Sequence, residues 1–76
     1  MLEKEFLLLI ADALEVDIMN LSIDTSLHDI EEWDSIGQLS FIGVIDDNFS
    51  IDIDIEEIEK CETISQLFDY VNGVKG

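Results

Sequence analysis

Few side chains in this chain of 76 residues have the type and spacing that chemistry needs. One hydroxyl stands out: Ser35, in the stretch "EEWDSIGQL" at residues 31–39, directly ahead of an apolar run. Local rules read it as a helix cap, with Gln38 three residues on at the capping-box position. The chain holds one histidine and one cysteine, so a nucleophile and its base would have to be a serine with His28, or Cys61 with His28. No third group to orient the imidazole is indicated, and no glycine-rich phosphate loop is present, so the chain does not read as an enzyme. The acids Asp46, Asp47, Asp52, Asp54, Glu56 and Glu57 bring calcium to mind. Bulky aliphatics separate them and no glycine takes the sharp turn of an EF-hand loop, so no metal site is expected beyond weak, adventitious binding. A single thiol cannot build a zinc site, and Cys61 reads as packing.

Composition narrows the partners. Lys+Arg number 3 against Asp+Glu 19, a formal net charge of -16, while hydrophobic residues reach 47%. High charge with this much apolar content describes a folded acidic domain, since disorder needs high charge and low hydrophobicity together. Nucleic acid is disfavoured because the basic residues that bind phosphate backbones are scarce; basic protein surfaces are the natural complement. The size fits one domain over residues 1–76, and the charge favours a monomer. One cysteine excludes an internal disulfide and suits a reducing, cytoplasmic setting. The N-terminal apolar stretch lacks the positive flank and cleavage site of a signal peptide and is too short to span a bilayer, so it reads as a helix.

The elements that must position these groups are helical: the expected fold is all-α, a small four-helix bundle. A first helix over about 2–14 aligns Leu2, Phe6, Leu9, Ile10 and Leu14 on one face, leaving Leu7 and Leu8 to pack partly on a loop or to form an exposed patch. Residues 17–33 form a long loop that its own apolar side chains must pin, with Leu21 and Leu27 the expected anchors. A second helix over 35–49 repeats Leu39, Ile42, Ile45 and Phe49 at three- and four-residue steps, widened by Phe41; Leu39→Ala there is expected to cost about 2–5 kcal/mol. "SIDIDI" at 50–55 alternates like a strand but has no pairing partner, so it reads as a connection with Ile51 or Ile53 inward. A short third helix follows at about 55–60, capped by Asp54 with Glu57 three residues on. The last helix has Thr63 as cap, Gln66 completing a capping box, Ile64, Leu67, Phe68 and Val71 as its apolar face, and Gly73 as terminator.

"DSIGQLSFIGVIDDNFSIDI" at 34–53, in this frame of helices and closed by "TISQLFDYVNG" at 63–73, resembles the acyl carrier protein family and its Asp-Ser-Leu motif. The resemblance covers almost the whole chain. It implies that Ser35, supported by Asp34 and Ile36, accepts a covalent 4'-phosphopantetheine arm from coenzyme A, whose thiol then holds acyl intermediates as thioesters for delivery to partner enzymes. Fatty acid biosynthesis and lipid metabolism are the usual setting of such carriers. The implied partners are a phosphopantetheinyl transferase and acyl- or aminoacyl-loading and acyl-transfer enzymes with basic docking patches. Glu31, Glu32, Asp46, Asp47, Glu56 and Glu57 are the expected recognition residues. If Asp34 is the true cap, Ser35 stands at the first helical position with its hydroxyl free, and an added phosphodiester would face a helix N-terminus that favours anions.

The sequence also departs from the fatty-acid carriers, whose second helix tends to carry acids directly after the serine. Here Gly37, Gln38 and Ser40 follow, with Gly43 further on, and the charge lies in Asp29, Glu31, Glu32 and Asp34 and again between Asp52 and Glu59. The two glycines would let a partner's backbone or the arm approach the helix. Trp33 takes the place of a small residue; it either borders the arm or plugs the core. "EEWDSIGQL" looks more like the stand-alone carriers of specialised bacterial pathways. An aminoacyl or peptidyl carrier, differing only in cargo and enzymes, and an unmodified acidic interaction module are the other two readings.

Overall fold

The computed structural model describes residues 2–75, arranged as α1 (Glu3–Leu14), α2 (Ser35–Phe49), α3 (Ile55–Glu59) and α4 (Ile64–Lys75). The all-α expectation holds, including the long α1–α2 connection and the short third helix; no strand forms among the described residues.

Helix α1 begins with Glu3 and Glu5 in its first turn, where carboxylates favour the exposed amides. Leu2 stands outside it as the N-cap residue and is 68% exposed, so the buried stripe is narrower than expected: Phe6, Ile10 and Leu14, each one turn apart. Leu7 leans on the core, whereas Leu8 faces out. The helix ends at Glu15, held left-handed at φ 57° with its amide on the Ala11 and Asp12 carbonyls. Such a conformation in a non-glycine residue costs on the order of 1 kcal/mol, so the chain reversal here is imposed by the packing that follows.

The connection is pinned as its length requires. Short 3₁₀ turns form at Ile18–Asn20 and Leu27–Asp29, the first capped by Asp17, whose Oδ1 accepts from the Met19 amide at 2.9 Å. Of the two expected anchors, Leu27 is fully buried and Leu21 packs against the core from its edge. Backbone bonds lash the connection to the start of α4: Leu27 N–H to the Glu62 carbonyl at 2.8 Å, Ile64 N–H to Thr25 at 3.0 Å, and Ser65 N–H to Ile23 at 2.8 Å.

In α2 the bounds match the expectation, but the buried face does not. Phe41 and Ile45 are fully buried, Ile42 and Phe49 lie partly so, and Leu39 is 60% exposed. The helix is apolar nearly all round, so spacing alone cannot choose the inner face. The aromatic rings choose it. Phe41 meets Phe6 edge-on at 5.9 Å between centroids, Phe6 meets Phe68 at 5.3 Å, and Trp33 closes on Phe41 at 5.6 Å. Trp33 is therefore a half-buried plug on the core.

Residues 51–54 form no regular structure and no strand pairing, and bury Ile53, as the connecting reading required. Asp54 does cap α3, although its Oδ1 accepts from Glu56 N–H at 2.9 Å and Glu57 takes no reciprocal part. At α4 the capping box forms with one shift: Thr63 Oγ1 accepts from Gln66 N–H at 3.2 Å, while Gln66 Oε1 accepts from Glu62 N–H at 2.7 Å. Gly73 does not terminate α4, which runs through it to Lys75. Lys75 Nζ lies over the Phe49 ring at 5.0 Å, fastening the last turn to the end of α2.

Candidate functional site

The head of α2 is built by the four residues before it. Trp33 N–H donates to the Ile30 carbonyl at 3.0 Å, closing a turn with Glu31 and Glu32 at its corner. The indole of Trp33 then anchors that turn on Phe41. Asp34 follows in extended conformation and caps the helix, its Oδ1 accepting from Gly37 N–H at 2.9 Å and its carbonyl from Gln38 N–H at 2.8 Å. Ser35 is thus the first helical residue, exposed, with the capping task done by its neighbour. The plain cap reading of Ser35, with Gln38 as its box partner, gives way to this arrangement.

Ile36, 76% exposed, and Leu39 form an apolar strip beside the serine. A shallow depression of about 230 Å³ lies between the end of α1 and the start of α2, walled by Leu14, Gly37 and the acidic residues Glu15, Glu32 and Asp34. On the other flank a groove of about 390 Å³ runs between α2 and the segment before α3, with Leu39, Ile42, Ile53 and Ile55 along it and Asp52 and Asp54 at its rim.

The acids expected to meet partners are all exposed, but only Glu31 and Glu32 lie in the turn that leads into Ser35. Asp46 and Asp47 lie in the last turn of α2, about 17–18 Å along the axis from Ser35 at about 1.5 Å per residue. Glu56 and Glu57 open α3, where Glu57 also pairs with Lys60 at 3.5 Å. His28 is exposed on its turn. Cys61 is half-buried with Sγ donating to the Glu57 carbonyl at 3.7 Å; burial, and then the Glu57 charge, push its thiol up, away from the reactive thiolate. Among the described residues no group of three or more His, Cys, Asp or Glu side chains is placed to hold a metal ion.

Gly37 corrects another expectation. It is buried, and a Cβ on it would collide with the Glu32 carbonyl oxygen and lie 2.9 Å from Leu14 Cδ2, so its bareness serves contacts within the molecule and not a visiting partner. Of the two glycines in α2, it is Gly43 that leaves open space, with nothing within 4 Å of an added Cβ. The one sequence signal for Gly37 was its position, a poor helix former in the first turn.

Fold and site together define a small helical domain that presents a serine at the head of its central helix. The family model described as the phosphopantetheine attachment site matches residues 4–71, and the chain belongs to that family. Its domains carry 4'-phosphopantetheine covalently and are in general non-catalytic carriers served by other enzymes. A search among curated proteins finds no match. No helix among the described residues is long and apolar enough to cross a membrane.

The head of α2 fits the group the family carries. The first amides of a helix have no intrahelical acceptor. Gly37 N–H is taken by Asp34 Oδ1 and Gln38 N–H by the Asp34 carbonyl, and the amides ahead of them, those of Ser35 and Ile36, belong to a helix start that favours an anion.

Proposed function

We propose that Ser35 is the attachment residue, and that residues 1–76 form one carrier domain holding acyl cargo on the arm, which supplies a terminal thiol for thioester linkage. The observation that carries this reading is the exposed serine at the first position of α2 with its cap supplied by Asp34. A hydroxyl engaged as the cap would be held against the helix; this one is free to approach another enzyme's active site. It has no base of its own, so the proton acceptor and metal for phosphoryl transfer belong to the phosphopantetheinyl transferase. Asp34 and Ile36 flank the serine as motif support.

The apolar wall of the α2–α3 groove supports acyl cargo, while Asp52 and Asp54 at its rim support the alternative of an aminoacyl group with its ammonium. Loading the modified protein with acyl- and aminoacyl-activating enzymes separates the two. Glu31 and Glu32, then Asp46, Asp47, Glu56 and Glu57, provide charge that steers basic partner surfaces. The free thiol of Cys61 and the net charge of -16 support a monomeric carrier in a reducing cytoplasm.

The attachment is tested by co-expression with a broad-specificity phosphopantetheinyl transferase and intact mass measurement. Wild type should gain one phosphopantetheine and Ser35→Ala none. Equal gain on Ser35→Ala, or no gain on wild type, sinks the proposal.

A further inference from the structure

Two glycines lie in α2, and only one of them is required by its surroundings. A Cβ at Gly37 meets the Glu32 carbonyl, which is backbone of the turn closed by the Trp33 N–H bond to Ile30 and cannot yield as a side-chain tip would. Admitting a side chain at 37 therefore means lifting that turn off the helix, and with it Glu31, Glu32 and the plugged Trp33. Gly43 meets nothing. Helix propensity disfavours both equally, by roughly 1 kcal/mol relative to alanine.

We propose that Gly37 is a positioning residue for the modification of Ser35. Its missing side chain lets the 30–33 turn close onto the first turn of α2, so the backbone that carries Glu31 and Glu32 is held at the head of the helix that Ser35 opens. The inference rests on Ser35 being the attachment point. Charges steer an approaching basic surface in proportion to how well their positions match it. Carboxylates on a lifted turn keep their charge but lose that match, so transferase docking weakens.

The test is the kinetics of Ser35 modification by the transferase with coenzyme A, followed across a range of salt concentrations. Gly37→Ala should lower kcat/KM roughly tenfold, chiefly through KM, and flatten its salt dependence toward that of the Glu31→Gln/Glu32→Gln double variant. Trp33 emission should shift in Gly37→Ala, while Gly43→Ala should match wild type in kinetics and emission. A folded Gly37→Ala protein with wild-type kcat/KM and salt dependence overturns the proposal, as does a fall confined to kcat with salt dependence intact. Should Gly37→Ala not fold by circular dichroism, the double variant decides, since both its side chains are exposed. Unchanged salt dependence there overturns the proposal, and a flattened one supports it. Absence of modification on wild type overturns the Ser35 reading as well, an outcome distinct from modification that ignores residue 37.

Discussion

Two hexads of this chain are nearly the same word: Asp34-Ser35-Ile36-Gly37-Gln38-Leu39 and Glu62-Thr63-Ile64-Ser65-Gln66-Leu67, each an acid, a hydroxyl, isoleucine, a small residue, glutamine and leucine. Both open a helix and both place a capping bond on the third helical amide. In the first the acid caps and the hydroxyl is left over; in the second the hydroxyl caps and the isoleucine is first in the helix. One residue of frame turns everything behind the cap by about 100°. Ile36 and Leu39 are consequently 76% and 60% exposed, and Ile64 and Leu67 are fully buried.

What sets the frame is the neighbour. Thr63 is bridged to Ser26, and the Glu62 carbonyl and Ile64 amide are both held by the α1–α2 connection, so the start of α4 is stitched in before its helix begins. At α2 the turn before the helix rests on Phe41 and Gly37 instead, which brings Asp34 into the capping position. One hexad is used up by the fold, and the other keeps a hydroxyl and an apolar strip for partners.

The largest break in that comparison should come from the paired leucines. Leu67→Ala is expected to lose about 2–5 kcal/mol, and Leu39→Ala to stay within about 0.5 kcal/mol, both read from urea midpoints. Equal losses would mean that the two faces are not opposite in solution.

Next in size are the caps. Asp34→Ala and Thr63→Ala should each cost about 1 kcal/mol, but only Asp34→Ala should also slow modification of Ser35, because the vacated cap recruits the neighbouring hydroxyl. Asp34→Asn, still an acceptor, should restore both stability and rate; intact mass against time measures the second.

The smallest effect is expected just before the second hexad, at Cys61. Its thiol is held above the ordinary value of 9.0 in the folded protein, first by burial and then by Glu57. The neutral form is favoured by folding, so its contribution is complete below 9.0 and fades as pH rises through the raised value. The alkylation rate of the native protein should climb later with pH than that of the urea-unfolded chain. Cys61→Ala should remove part of the alkaline loss of stability seen in wild type.

Much of this was legible locally. The bounds of α2, the Asp54 and Thr63 caps, and the unpaired character of residues 51–54 follow from short polar groups ahead of apolar runs and from the lack of a second strand. Leu39 misled because α2 carries Ile36, Leu39, Phe41, Ile42, Val44 and Ile45 around most of its circumference, and a three-to-four step fits more than one face. Gly73 misled because glycine permits a left-handed stop without requiring one; the actual left-handed ends of α1 and α2 are Glu15 and Ser50. Gly37 was visible as a glycine, but its reason was not, since the carbonyl it accommodates belongs to a turn that only tertiary packing brings near.

By itself the sequence determined the helical content, the caps of α3 and α4, the acidic surface and the family motif, all of which depend on residues within a turn or two of one another. Which apolar side chains are buried, which of two matching hexads keeps its hydroxyl free, and why residue 37 must be bare were decided only by the tertiary structure. Each of those rests on contacts between segments far apart in the chain or on packing around a turn, and local pattern carries no record of which face another helix will cover.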